Sequence, residues 1–367
     1  MKVPFADLRA QYLAHRDAID GAIQSVIDTT AFIGGKYVTE FEAAYARSYG
    51  VEHCISVANG TDAIYIVLRM LGIGPGDEVI TTSMSWFSTA ETISQTGAVP
   101  VFVDVDEHYN IDPRKVEQAI TPRTRALLPV HLFGQAARMR ELAEIAQKHR
   151  LLLIEDCAQA HYATHDGKRV GTIGIAGTFS FYPGKNLGAY GDAGAIVTND
   201  GELAKKLRMY ANHGQLKKHD HQLEGLNSRL DGIQAAILSA KLPHIDAWTR
   251  ARQRLGEQYS VSLTNIPGLV LPSCAPGSTH VFHLYVVHAE RRDELRAFLT
   301  ARGIESAIHY PTSLPFLPPY AARGFRPEMF PNAFRNQSRI LSLPIFPEMT
   351  DDMLRFVCDS IRAFYSA

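Results

Sequence analysis

Lys185 stands in the run Ser180-Phe181-Tyr182-Pro183-Gly184-Lys185-Asn186-Leu187-Gly188, downstream of a carboxylate, Asp156, that follows the apolar run Leu151-Leu152-Leu153-Ile154. Most lysines lie on solvated faces, but the glycines and aromatics around this one do not resemble such a face. A lysine of this kind suits a Schiff base with an aldehyde cofactor. A carboxylate suits the ring nitrogen of that cofactor, keeping it protonated so that the ring withdraws electrons. The pair points to pyridoxal 5'-phosphate (PLP), with Lys185 as its covalent anchor. To act as a base as well, Lys185 needs a lowered pKa, for which apolar or cationic neighbours are the usual cause. Read alone, Asp156 is also an ordinary helix N-cap. Gln159 is placed to reach the ring's phenolic oxygen, and Ser180 to donate to the phosphate.

Asn59-Gly60-Thr61 follows one apolar run and opens a helical one. Free N–H groups, the positive helix end and a hydroxyl make a phosphate cradle there. The plain alternative is a strand-to-helix turn with Thr61 near the cap. The tripeptide is no P-loop, and no GxGxxG follows a strand, which speaks against nucleotide hydrolysis and dinucleotide binding. Trp86, one of two tryptophans, lies in Ser83-Met84-Ser85-Trp86-Phe87-Ser88-Thr89, where an aromatic either stacks on a cofactor ring or joins the core.

These residues need strands to carry them. From about residue 50 to 200, short β-rich runs (54–57, 78–82, 99–104, 126–130, 151–154) alternate with helical stretches (61–71, 89–96, 113–120, 138–149). That alternation predicts an α/β fold, a mainly parallel sheet covered by helices on both faces. Ligands then sit beyond the carboxyl ends of the strands, where Asp156 and the loop after Val57 both fall. After Arg229 a long helical pattern runs to about Leu263. Runs at 268–271, 282–287 and 304–309 read as strands, and 291–302 and 351–364 as helices. The expected division is an N-terminal helical segment (1–30, with the stripe Tyr12, Ile19, Ile23, Val26, Ile27), a large domain (31–245) and a smaller α+β domain (246–367).

The chain has 367 residues, 46% apolar and 20% charged, with a net charge of −1 and signs well mixed. That composition suits a globular protein with neither a nucleic-acid nor a membrane partner. Cys54, Cys157, Cys274 and Cys358 show no metal-ligand spacing and read as buried thiols in a reducing compartment, the cytoplasm. No signal peptide or bilayer-length run is evident.

Several segments in order resemble the DegT/DnrJ/EryC1/StrS family of PLP-dependent nucleotide-sugar aminotransferases. They are Ala58–Ala63, Gly74–Thr81, Ile154–Ala160, Ser180–Lys185, Gly191–Ala195, Asn227–Asp231 and His309-Tyr310-Pro311. The resemblance implies the aspartate-aminotransferase fold (PLP fold type I). It implies that Lys185 carries the cofactor and shuttles a proton, that Asp156 pairs with the pyridine nitrogen, and that Gln159 touches the phenolic oxygen. Trp86 would stack on the ring, while Gly60, Thr61 and Ser180 hold the phosphate. Asn227 would reach that phosphate from the second subunit of a homodimer with shared sites. Tyr182, Arg229, His309 and Tyr310 would contact the nucleotide sugar; read alone, Arg229 is a surface ion pair and His309 a packed strand residue.

Phe181–Gly188 together with Val130–Gln135 is similar to members that aminate carbon 3 of a keto sugar. The implied substrates are L-glutamate as donor and a dTDP-linked 3-oxo-6-deoxyhexose as acceptor. A UDP-linked 3-oxo sugar bearing a 2-acetamido group, or a uronate, is the alternative. A PLP-dependent sugar dehydratase would carry histidine in place of Lys185. A cysteine desulfurase would need a mobile cysteine at the cofactor, and nothing in the sequence puts Cys274 there. Intact Lys185, Asp156 and Gln159 argue against a non-catalytic regulator.

Overall fold

The computed structural model describes residues 1–366. Seven strands form the large sheet: β1 (His53–Val57), β2 (Glu78–Thr82), β3 (Val99–Val103), β4 (Thr124–Leu128), β5 (Leu152–Asp156), β6 (Ala176–Ser180) and β7 (Gly194–Thr198), in the order β1-β7-β6-β5-β4-β2-β3. β6 through β3 are mutually parallel. β7 runs antiparallel to both β6 and β1. The two reversals cancel, so β1, β2, β5 and β6 all point their carboxyl ends to one edge.

Neighbouring residues on a strand feed different cores. Val79, Leu128 and Ile154 pack with the helix Gly60–Met70, while Ile80, Leu127 and Leu153 pack with the helix Met139–His149. Both faces of the sheet are therefore buried, which is why these strands read as unbroken apolar runs. A second core lies around a three-stranded sheet, β8 (Leu269–Val270), β9 (Tyr285–Ala289) and β10 (Ile340–Leu343), backed by the helices Ile245–Ser262, Arg292–Ala301 and Asp351–Tyr365. The helix Arg16–Thr29 packs along the helix Gly232–Lys241, burying Ile19 and Val26 but leaving Ile27 exposed. No helix among the described residues is long and apolar enough to cross a membrane.

Four sequence expectations need correction. The helical pattern after Arg229 is two helices, parted by a 3-10 turn at Leu242–His244, because Pro243 has no N–H to continue the ladder. Residues 304–309 form no strand. Their backbone bridges Val3 at Ile304 and Ser342 at Ala307, two partners too close together along the segment for a continuous ladder. The strand expected at 282–287 starts at Tyr285, since Val281 and Leu284 donate backbone bonds to Gly134 and Phe133. Cys274 is exposed, on the loop after β8, whereas Cys54, Cys157 and Cys358 are each packed into a hydrophobic core.

Candidate active site

Asp156 does not follow β5 but closes it, and no helix starts beyond it, so it is not a helix cap. Its carboxylate is buried. Oδ1 accepts from the Ala158 N–H at 3.1 Å and Oδ2 from the Thr89 hydroxyl at 3.0 Å. Thr89 in turn is 2.8 Å from the Ser85 hydroxyl. Burial raises the carboxyl's pKa, and the two donors, Lys185 and His131 work the other way.

Lys185 sits in a loop closed on itself. Its N–H donates to the Tyr182 carbonyl at 2.8 Å, and the Ala189 N–H donates to Phe181 at 2.7 Å. Desolvation lowers the amine's pKa to about 8 against the pull of Asp156. His161, His283 and His309 lie around it, and burial lowers each: His161 to about 3, His309 to about 4 and His283 well below its ordinary value. The charge on Lys185 contributes to all three shifts. Three imidazoles pushed towards their neutral form leave Lys185 and Asp156 as the amine and carboxyl that act on each other in this pocket.

The turn after β1 meets the end of β6. A Cβ added to Gly60 would lie 2.7 Å from the Ser180 Cβ, and one added to Gly194 would lie 2.4 Å from the Asn59 carbonyl carbon. Glycine is thus needed twice where the backbones converge. Asn59, not Thr61, caps the helix, its side chain accepting from the Asp62 N–H at 2.8 Å. Thr61 is left to pair with Ser88, hydroxyl to hydroxyl, at 2.7 Å. Hydroxyls and a helix N-terminus beside a buried carboxylate and a low-pKa amine fit the phosphate, ring nitrogen and aldehyde of PLP.

Gln159 is more committed than expected. Its carbonyl accepts from the Phe133 N–H at 2.7 Å, and its amide donates to the Tyr310 hydroxyl at 2.9 Å. The Trp86 ring is 60% exposed and lies 5.7 Å from that of Tyr310, so it is not a core residue in this chain. His309 is no strand residue; its Nδ1 is 2.9 Å from the Ser342 hydroxyl. Arg229 pairs with no carboxylate among the described residues. It makes a long 3.4 Å contact to Asn212, and its Nε is buried without a partner. Asn227 and Tyr182 are exposed, and the Asn227 side chain makes no hydrogen bond among the described residues.

His131, Glu155 and Cys157 are close enough to hold a metal ion. Cys157 is held as a thiol, burial raising its pKa and its S–H donating to the Glu155 carbonyl, and the lone pairs of the other two are otherwise engaged. Glu155 accepts from the N–H groups of Gly171, Ile173 and Gly174 and from His131 Nε2 at 3.1 Å, while His131 Nδ1 accepts from the Ala137 N–H. Sequence reasoning assigned no role to Thr89, Ser88, His161 or His283, whereas His309 was expected at the nucleotide sugar. The hydroxyl-rich run Ser83–Thr89 was the available signal for the first two; His161 and His283 come from separate segments and gave none.

Comparison with known proteins accords with this geometry. The chain is 46% identical to a pleiotropic regulatory protein of Geobacillus stearothermophilus, over 100% of this chain and 99% of that one. It is 46% identical to a dTDP-3-amino-3,4,6-trideoxy-alpha-D-glucose transaminase of Streptomyces venezuelae, over 98% and 96%. It is 43% identical to a UDP-N-acetyl-3-dehydro-alpha-D-glucosamine 3-aminotransferase of Acidithiobacillus ferrooxidans, over 98% and 97%. Its fold matches S. venezuelae DesV, solved in complex with a ketimine intermediate, with a TM-score of 0.97 at 45% identity, covering 100% and 99% of the two chains. The model of the DegT/DnrJ/EryC1/StrS aminotransferase family matches residues 14–362. This chain belongs to that family and is a PLP-dependent aminotransferase of fold type I.

Proposed function

We propose that the protein moves an amino group from L-glutamate to carbon 3 of a nucleotide-linked keto sugar, with a dTDP-3-oxo-6-deoxyhexose as the favoured acceptor. The observation that carries this reading is the placement of the Lys185 loop, closed by its own backbone bonds, beside the buried Asp156 carboxyl held by Thr89 and Ala158, in a chain of this aminotransferase family. When bound, PLP supplies an aldehyde carbon that carries the amino group between substrates and a ring that withdraws electrons from the reacting carbon.

The chain's own residues do the rest. Lys185 Nζ takes the proton from the donor's α-carbon and delivers it again during transfer; with its pKa near 8, roughly a tenth of the amine is neutral at pH 7. Asp156 holds the proton on the pyridine nitrogen. Gly60, Thr61 and Ser180 grip the phosphate, and Asn227, exposed in the single chain, reaches it from the second subunit of a homodimer. Trp86 covers the ring face. Gln159, already bonded to Phe133 and Tyr310, keeps one amide hydrogen for the phenolic oxygen. Tyr182, Arg229, His309 and Tyr310 contact the nucleotide sugar, and the unpartnered Arg229 Nε is a donor awaiting an acceptor. On this reading residues 31–245 hold the cofactor and 246–367 supply His309 and Tyr310. The free thiols suit the cytoplasm.

The second reading, a UDP-linked 3-oxo-2-acetamido sugar or uronate, is favoured by 43% identity to the A. ferrooxidans protein. Running dTDP- and UDP-linked 3-amino and 4-amino sugars backwards with 2-oxoglutarate separates the two. Turnover of a dTDP-3-amino-6-deoxyhexose alone supports the first, and turnover of 4-amino sugars alone removes both. Borohydride trapping followed by peptide mapping should leave the cofactor on Lys185. A label elsewhere refutes the catalytic assignment.

A further inference from the structure

Lys241 closes the helix Gly232–Lys241 and is only 1% exposed, although it is a lysine. Its Nζ donates to the Gly188 carbonyl, in the same loop as Lys185. The ammonium lies 5.0 Å from the ring centre of Tyr190 and 5.9 Å from that of Trp248. Burial lowers its pKa to about 8, with the charge of Glu348 opposing. An apolar side chain of the same length would fill this space without the desolvation cost of a cation. What it would not supply is a donor, and among the described residues no other donor reaches the buried Gly188 carbonyl.

That carbonyl is a handle on the catalytic loop. Gly188 is pressed onto Pro183, where an added Cβ would lie 2.3 Å from the Pro183 oxygen. Pro183 and Lys185 share the turn closed by the Lys185 N–H. A second tie comes from Asn186, whose amide donates to the Val281 carbonyl at 3.2 Å and whose oxygen lies 3.3 Å from His283 Nδ1. The loop is thus held from two sides, by Asn186 and by Lys241.

We propose that Lys241 is a positioning residue for Lys185, anchoring the Pro183–Gly188 turn through the Gly188 carbonyl so that the catalytic amine keeps its place over the cofactor site. The inference rests on the role given to Lys185 above. The test compares wild type with Lys241→Met, which keeps length and removes the donor, Lys241→Gln, which keeps a shorter uncharged donor, and Lys241→Arg. For each, borohydride mapping locates the cofactor, and visible absorbance against pH gives the titration midpoint of the loaded lysine. Stopped-flow absorbance gives the rate at which cofactor-free protein captures PLP.

In Lys241→Met, kcat for the glutamate half-reaction should fall about 10- to 100-fold at a KM within about twofold. The midpoint should move by about one pH unit and capture should slow. Lys241→Gln should show the same changes at smaller size, and Lys241→Arg should recover most of the loss. A Met or Gln variant that loads on Lys185 with unchanged midpoint, capture rate and kcat overturns the proposal. A wild-type label absent from Lys185 instead overturns the functional reading itself.

Discussion

Replacing Thr89 by valine tests how Asp156 is held. The change keeps the shape of the side chain and removes the hydroxyl that donates to Oδ2 at 3.0 Å, leaving the Ala158 N–H as the carboxylate's named donor. A hydrogen bond to a buried charge contributes roughly 1.5–3 kcal/mol, equivalent to about one to two pH units. Folding already raises this carboxyl above its ordinary 3.8, and the variant raises it further. A carboxyl raised by folding binds its proton more tightly in the folded state, so stability falls as pH rises from the ordinary value through the raised one. Wild type and variant lose stability together up to the wild type's raised pKa, so the added penalty of Thr89→Val opens only from there and is complete above the variant's own, higher pKa. Thermal melts of cofactor-free protein between about pH 4.5 and 8.5 should show the gap from wild type widening with pH to about 3–6 °C, at about 2 °C per kcal/mol. Ser85→Ala breaks the contact to Thr89 without touching the carboxylate and should give a small, pH-independent change. A Thr89→Val gap that is flat with pH, or widest in acid, would refute the account of Asp156.

Three further outcomes follow from the site. Gly60→Ala drives a Cβ to 2.7 Å from the Ser180 Cβ and should cost about 1–3 kcal/mol of overpacking, seen as loss of PLP on gel filtration. Tyr310→Phe removes the hydroxyl that accepts from Gln159. It should lower kcat/KM for the nucleotide sugar about fivefold, near 1 kcal/mol, with a smaller effect on the glutamate half-reaction measured by single-turnover absorbance. Mixing Lys185→Ala with Asn227→Ala protein should restore part of the activity that each lacks alone, because a hybrid dimer holds one undamaged site; no recovery in the mixed assay would place Asn227 outside the partner's pocket.

How much of this the sequence revealed depends on the distance between cause and effect along the chain. β5 was legible because burial on both sheet faces writes itself as an unbroken apolar run, and Asp156 was legible because strand ends are where such sheets place ligands. Lys185 and Gly60 stood out for the same local reason: their neighbours are wrong for a solvated face or an interior helix. The boundaries slipped where a remote partner decides, as at 282–284, drawn out of β9 by backbone bonds to Gly134 and Phe133. The surroundings of Lys185 were mostly illegible on this principle. His309 was expected at the nucleotide sugar through the resemblance alone, His161 and His283 are ordinary histidines in separate segments, and what groups the three is shared burial beside one amine. Were they charged, Lys185 would face three like charges beside one carboxylate, and its pKa would fall further still. Their neutrality is a property of the assembled pocket, so the sequence singles out Lys185 as the candidate for the reacting amine, and only the fold shows why burial lowers that amine to about 8 with Asp156 opposing the shift.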